Sequence, residues 1–373
     1  MPVEKIEKIS LLGHERPLYK FTNFQPVSGG AISQANAIGL GLSSIIPIEE
    51  YEIIHKSAHS KDIKRDESTT IYPGPVYLFD VSGFAYFHAL YDKVLQYEFI
   101  KKYIPNIKII PVTYYFDQRL SFNQFYIDVL KIYGVDYFKD LVYLNSDNSY
   151  LFEEVYNFIF EHTEVLYPFK ENIYKYDAFQ SWIAPEEYKK YILTGRENLL
   201  KTLKYPIDNI HNKKIFVSRR IVNDKYRNYE YGENAQFYYF TRFISLKDEL
   251  LIEDFFASNG YEIVFPESME FLDQVSMYSQ ASHIAGLKSS GFCNMIFSKP
   301  GTKIISINLD SEFECWYGDL AEYFDIEYLE VPSLKGEPLG KLYQQTLFPE
   351  SVLYFEPKET IELIKEHYSS WLN

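Results

Sequence analysis

Residues 283–307 read HIAGLKSSGFCNMIFSKPGTKIISI. HIAGL at the start and KIISI at the end are short apolar runs of strand type. Between them lie a small-residue turn, Lys288-Ser289-Ser290-Gly291, and a stretch whose pattern predicts a helix from about Phe292. Two strands joined through a helix form the repeating unit of a parallel sheet, because parallel neighbours need a crossover. The turn also carries chemistry. Free N–H groups and the dipole at a helix start attract an anion. Ser289 and Ser290 add hydroxyl donors, Gly291 permits close backbone approach, and Lys288 adds positive charge. The same residues also fit a plain strand-to-helix turn with a Ser N-cap, and the turn by itself does not choose between the two.

Outward from this stretch the alternation continues. Upstream come a strand KKIFVS (213–218), an amphipathic helix (246–258) ended by Asn259-Gly260, a strand YEIVF (261–265) and a helix (269–281). Downstream come a strand TKIISIN (302–308), a helix LAEYFD, a strand IEYLEV (326–331) and an amphipathic helix (359–371). The first half reads less cleanly. VYLFD (76–80) is a strand, followed by Gly83 and a helix from about Tyr86 whose Leu90, Val94 and Leu95 face inward. IKIIPV (107–112) is a strand, FNQFYIDVLKIYG a helix closed by Gly134, and LVYL (141–144) a strand. The first forty residues suggest short strands and turns. Residues 149–205 suggest helix and connection, with a long helix over Glu197–Leu203 and a turn at Pro206. The predicted class is α/β, with Rossmann-like domains over 1–205 and 206–358. A terminal helix (359–373) is expected to pack back on the N-terminal domain.

Composition narrows the function. The chain has 373 residues, too many for one ordinary core, and is 46% hydrophobic, enough for each half to bury its own. Lys and Arg total 37 against 52 Asp and Glu, a net charge of −15 that argues against nucleic acid as partner. Two cysteines, Cys293 and Cys315, make no disulfide framework. No signal-type h-region or membrane-length apolar run is present, so a cytoplasmic protein is expected. The 35 Tyr reflect either a compositional bias or a cleft where aromatic faces stack on sugars.

Two further constellations could carry chemistry. Arg219 and Arg220 follow strand KKIFVS at its carboxyl end, where open sheets bind ligands, and Arg suits phosphate oxygens. They read otherwise as surface arginines. Arg227 and Arg242 could add to the same basic edge. His88 and Asp92 lie four apart on a helix after VYLFD, so one of them could serve as general base, or His88 could be structural. The chain has no Walker loop, no HExxH and no CxxC pair. It also has no Asp-x-Asp, the dyad that holds a divalent ion in metal-dependent sugar transferases. Charge on a leaving diphosphate would then fall to Arg, Lys and a helix N-terminus.

These residues together resemble glycosyltransferase family 61. The similarity runs through Ser218-Arg219, Asp248-Glu249-Leu250, Gly260 to Pro266-Glu267, Gln274, Lys288 to Gly291, Asn294, Phe297 and Pro300-Gly301-Thr302. Tyr86 to Asp92 is similar to the family's N-terminal His-containing element. The family's HGAG is Lys288-Ser289-Ser290-Gly291 here, so a cation is kept at the first position. The resemblance implies a GT-B fold, two Rossmann-like domains facing across a cleft, and an inverting transfer without metal or other cofactor. It implies a nucleotide-diphosphate sugar donor and a glycan or glycoconjugate acceptor, as in cell-surface polysaccharide synthesis. It puts the diphosphate on Arg219, Arg220, Lys288, Ser289, Ser290, Gly291 and Asn294, and the nucleoside on Pro266, Glu267 and Gln274. The base, Asp92 or His88, falls in the N-terminal domain. A nucleotide-sugar epimerase of the same fold and a non-catalytic sugar-nucleotide-binding scaffold are the alternative readings.

Overall fold

The structure is a computed structural model. It describes residues 5–10, 17–24, 69–81, 86, 88–113, 123–143, 150–158, 185–204, 211–221, 246–308, 316–332, 334–335, 354–355 and 357–372. The chain divides into two compact units, Met1–Phe169 with Asp177–Tyr205, and Lys170–Tyr176 with Pro206–Asn373.

The first unit is built on a six-stranded sheet. Its strands are β1 (Lys5–Ser10), β2 (Pro17–Phe24), β3 (Thr70–Asp80), β4 (Lys108–Thr113), β5 (Val142–Tyr143) and β6 (Tyr150–Phe158), in the order β1-β2-β6-β3-β4-β5. β6, β3, β4 and β5 run parallel, whereas β1 pairs β2 and β2 pairs β6 antiparallel. The sheet is therefore mixed. The strand β6 corrects the helical reading of residues 149–205. It lies between β2 and β3, with Leu151, Phe152, Val155 and Tyr156 buried. Its apolar residues come in pairs around Glu153 and Glu154 rather than in strict alternation, which hides the period-2 signal. Tyr156 donates its hydroxyl to Glu154 at 3.0 Å, so even the partly buried carboxylate is satisfied.

After β3 the chain forms a π-helical segment, His88–Val94, which continues as α1 (Leu95–Tyr103). Leu90, Val94 and Leu95 are buried on its inner face as the spacing predicts. α2 (Asn123–Ile132) ends at Gly134, whose φ of +74° needs no Cβ penalty. α3 (Tyr137–Asp140) is capped by Asp136, which accepts from the backbone N–H of Phe138 and Lys139. α4 (Pro185–Leu203) packs on α1 closely enough that a Cβ on Gly195 would lie 3.1 Å from Leu95. Tyr191 and Asn198 tie the two helices by donating to the carbonyls of Tyr91 and Glu98.

The second unit is more regular. Its elements are β7 (Lys213–Val217), α5 (Leu246–Ser258), β8 (Glu262–Val264), α6 (Phe271–Gln280), β9 (Ala281–Leu287), β10 (Lys303–Asn308), α7 (Trp316–Tyr323), β11 (Glu327–Pro332) and α8 (Pro357–His367). All five strands are parallel, in the order β11-β10-β9-β7-β8. Numbered from the first strand of the unit this is 2-1-3-4-5, a doubly wound order whose direction reverses between β7 and β9. The core gathers Phe216, Ile252, Phe256, Ala285, Ile305, Ile307, Val331, Ile361 and Ile364. That cluster corrects the placement of the terminal helix. α8 carries Ile361 and Ile364 into the core of the second unit, beside Phe256 of α5, because its apolar stripe matches that face. The helix expected after β9 is present as a 3₁₀ helix, Ser290–Phe297.

Candidate functional site

Ligands of open parallel sheets bind beyond the carboxyl ends of the strands, where the winding reverses. In the second unit that point lies after β7 and β9. The residues that follow are Ser218-Arg219-Arg220 and Lys288-Ser289-Ser290-Gly291. The two loops lie close together. Val217 pairs with Gly286, and a Cβ on Gly286 would sit 2.7 Å from the Val217 carbonyl oxygen. A Cβ on Gly291 would lie 3.1 Å from Val217 Cγ1. Gly286 is thus required for β9 to close onto the end of β7, and at Gly291 a side chain would press on the Val217 methyl.

The loop after β9 is held from several sides. Ser289 is the N-cap of the 3₁₀ helix, its Oγ accepting from the Gly291 N–H at 3.3 Å. Tyr278 of α6 donates its hydroxyl to the Gly291 carbonyl at 2.8 Å. Burial pushes that phenol well above its ordinary pKa, so it remains a donor. Ser290 and Gly291 are partly exposed, whereas Ser289 is buried. Lys288 is 5% exposed and pairs with Glu330 of β11 at 3.4 Å.

Asn294 and Gln274 are joined to one another. Asn294 is fully buried and donates to Gln274 Oε1 at 2.9 Å. Gln274, also buried, donates to the Met269 carbonyl at 3.3 Å. They form an internal brace from the 3₁₀ helix through α6 to the turn after β8. Pro266 and Glu267 lie in that turn, Pro266–Ser268, with Pro266 buried and Glu267 exposed.

The loop after β7 has an anchor that sequence reasoning missed. Glu253 of α5 is 4% exposed, yet its carboxylate accepts the Ser218 hydroxyl at 2.6 Å and meets Arg220 Nη2 at 3.4 Å. Ser218 Oγ in turn accepts the Arg220 backbone N–H at 3.0 Å. The Arg220 guanidinium also lies 5.2 Å over the Phe265 ring. Arg220 is therefore committed to the protein, while Arg219 beside it is half-buried. The missed signal was Glu253 itself, one residue from Ile252 and three from Phe256 on the face of α5 that enters the core. A carboxylate on an apolar stripe needs a partner.

In the first unit, His88 and Asp92 both fall in the π-helical segment after β3. Such i→i+5 turns are frequent at functional sites. Their backbone is described, their side chains are not. Arg227, Arg242 and Cys315 lie outside the described residues, and Cys293 is a buried free thiol.

The second unit is thus a doubly wound α/β domain of Rossmann-like type, with a serine-capped, glycine-closed turn and two arginines at its switch point. The family model Glycosyltransferase 61 matches residues 86–305, more than half of the chain and both units. The chain belongs to glycosyltransferase family 61, and its substrates are of the class that family uses, a nucleotide sugar and a glycan acceptor. No curated protein matches it. Among the described residues no helix is long and apolar enough to cross a membrane.

Proposed function

We propose that the protein is a metal-independent, inverting GT-B glycosyltransferase of cell-surface polysaccharide synthesis, with the donor on the second unit and the acceptor and base on the first. The observation that carries the donor assignment is the convergence of the loops after β7 and β9 at the reversal of strand order. Arg219, Lys288 and Ser290 meet the diphosphate where Gly291 lets the backbone approach, and Pro266 and Glu267 border the nucleoside. Glu253 orients the arginine turn, and Asn294 and Gln274 brace the serine turn.

The reaction is a single in-line displacement. An acceptor hydroxyl oxygen bonds to the anomeric carbon as the bond to the diphosphate oxygen breaks. The hydroxyl proton passes to Asp92 or His88, and the leaving charge stays with the nucleoside diphosphate. Cationic side chains and backbone donors fixed before the reaction stabilise that charge without reorganising. Metal independence is argued from the missing Asp-x-Asp together with the cationic pair.

A thermal-shift panel of nucleotide sugars tests the reading. A ligand at 100 times its dissociation constant stabilises by about 2.7 kcal/mol, so one donor should stand out. Slow release of free sugar from that donor in excess chelator is the expected second result. Interconversion of donors would mark an epimerase, and binding without turnover a scaffold. Activity lost to chelator and restored by manganese would contradict metal independence.

A further inference from the structure

The carboxyl edge of the second sheet holds a polar cluster that extends from Lys288 across two neighbouring strands. Glu330 on β11, Asn308 at the end of β10 and Lys288 just beyond β9 come from three adjacent strands. Glu330 pairs in register with Ser306, and Ser306 with Gly286, so Glu330, Asn308 and Lys288 lie on one face of the sheet. Glu330 Oε1 accepts from Lys288 Nζ at 3.4 Å and from Asn308 Nδ2. Its other oxygen, Oε2, has no hydrogen-bond partner among the described residues, and the side chain is 27% exposed. Beside it, Ser306 is fully buried with an unpartnered hydroxyl.

We propose that Glu330 binds a vicinal diol of the donor, with Oε2 accepting its hydroxyls while Oε1 fixes the ammonium of Lys288. The inference rests on the donor lying at this edge. A carboxylate has about four acceptor sites, and two of those on Glu330 are taken. Both of the known partners are donors that hold Oε1, so the carboxylate is oriented before any ligand arrives. Next to a diphosphate a second anion is repelled, so the group that Oε2 faces should be a neutral hydroxyl donor. Nucleotide sugars offer that chemistry twice, in the ribose and in the transferred sugar.

The test is calorimetry with the four ribonucleoside diphosphates, their 2′-deoxy forms and the matching nucleotide sugar, on the wild type and Glu330→Gln. A hydrogen bond to a charged group is worth about tenfold or more in affinity. If the ribose supplies the diol, the wild type prefers the ribo over the deoxy form by about that factor, and Glu330→Gln loses the preference. If the sugar supplies it, the two nucleotides bind alike, and Glu330→Gln loses the extra affinity of the nucleotide sugar over the diphosphate. Unchanged ratios in a folded Glu330→Gln would overturn the inference and leave the donor reading standing. Failure of every diphosphate to bind the wild type would remove both. Should Glu330→Gln not fold, Glu330→Asp withdraws the carboxylate by one methylene and is expected to lose the same ratio, and an unchanged ratio there overturns the inference equally.

Discussion

The two sheets of this chain solve the same packing problem differently. The second is wholly parallel and short-stranded, with Ser218, Lys288, Asn308 and Glu330 at its carboxyl ends. The first is mixed, with an antiparallel flank, and an aromatic interior in which Tyr77, Tyr91 and Tyr126 are fully buried. There Tyr77 donates its hydroxyl to Gln96 at 2.7 Å, and Tyr97 donates to the Ile107 carbonyl. The hydroxyls of Tyr77 and Tyr97 are thus used inside the core. The parallel sheet carries an interacting Lys288–Glu330 pair at its carboxyl edge, while the mixed sheet is followed after β3 by a π-helical turn. The proposed function divides the chemistry in the same way, with anion binding on one unit and proton transfer on the other.

The largest expected effect tests that division. Asp92→Asn keeps the shape and removes the basicity, and should lower turnover about 100-fold or more in a steady-state assay. Near-normal turnover in Asp92→Asn with loss in His88→Ala would reverse their roles, and turnover in both would take the base away from the π-helical turn. A smaller effect probes the closeness of β7 and β9. Gly286→Ala puts a methyl against the Val217 carbonyl, and should destabilise by about 1–3 kcal/mol in thermal or urea unfolding. A neutral result would mean that the two loops do not need so close an approach.

The smallest effect lies at the opposite, amino end of the second sheet. Burial, aided by Lys214, Lys303 and His211, holds the His283 imidazole down to about 4. In the unfolded chain it titrates near 6.5. Between these values the unfolded chain binds a proton that the folded chain refuses, so stability should fall as pH drops from about 6.5 towards 4. His283→Gln should flatten that part of the melting-temperature profile and leave donor affinity unchanged. The remaining slope would include His211, whose pKa is lowered in the same sense.

The contrast between the sheets also explains what could be read in advance. Strands of the second unit are legible because each is a continuous apolar run bounded by turn residues, as in Lys303–Asn308. β6 was illegible because Glu153 and Glu154 interrupt its pattern, although Leu151, Phe152, Val155 and Tyr156 are buried. The serine turn and the arginines are local in sequence, and their loops do come together. Glu253 and Glu330 act on residues 35 and 42 positions away, and only the sheet order brings them there. Asn294 and Gln274 match the motif in type, yet their partners are each other. A motif preserves residue identity without saying whether the side chain faces a ligand or the loop that receives it.

The most direct measurement of the central claim is the affinity of a nucleoside diphosphate for the wild type, Arg219→Ala and Asp92→Asn, by calorimetry under one set of conditions. A desolvated charged contact is worth about 2–5 kcal/mol, so Arg219→Ala should bind at least about tenfold more weakly, and Asp92→Asn as the wild type does. Unchanged affinity in Arg219→Ala, or a comparable loss in Asp92→Asn, would contradict the assignment of the donor to the switch point of the second sheet.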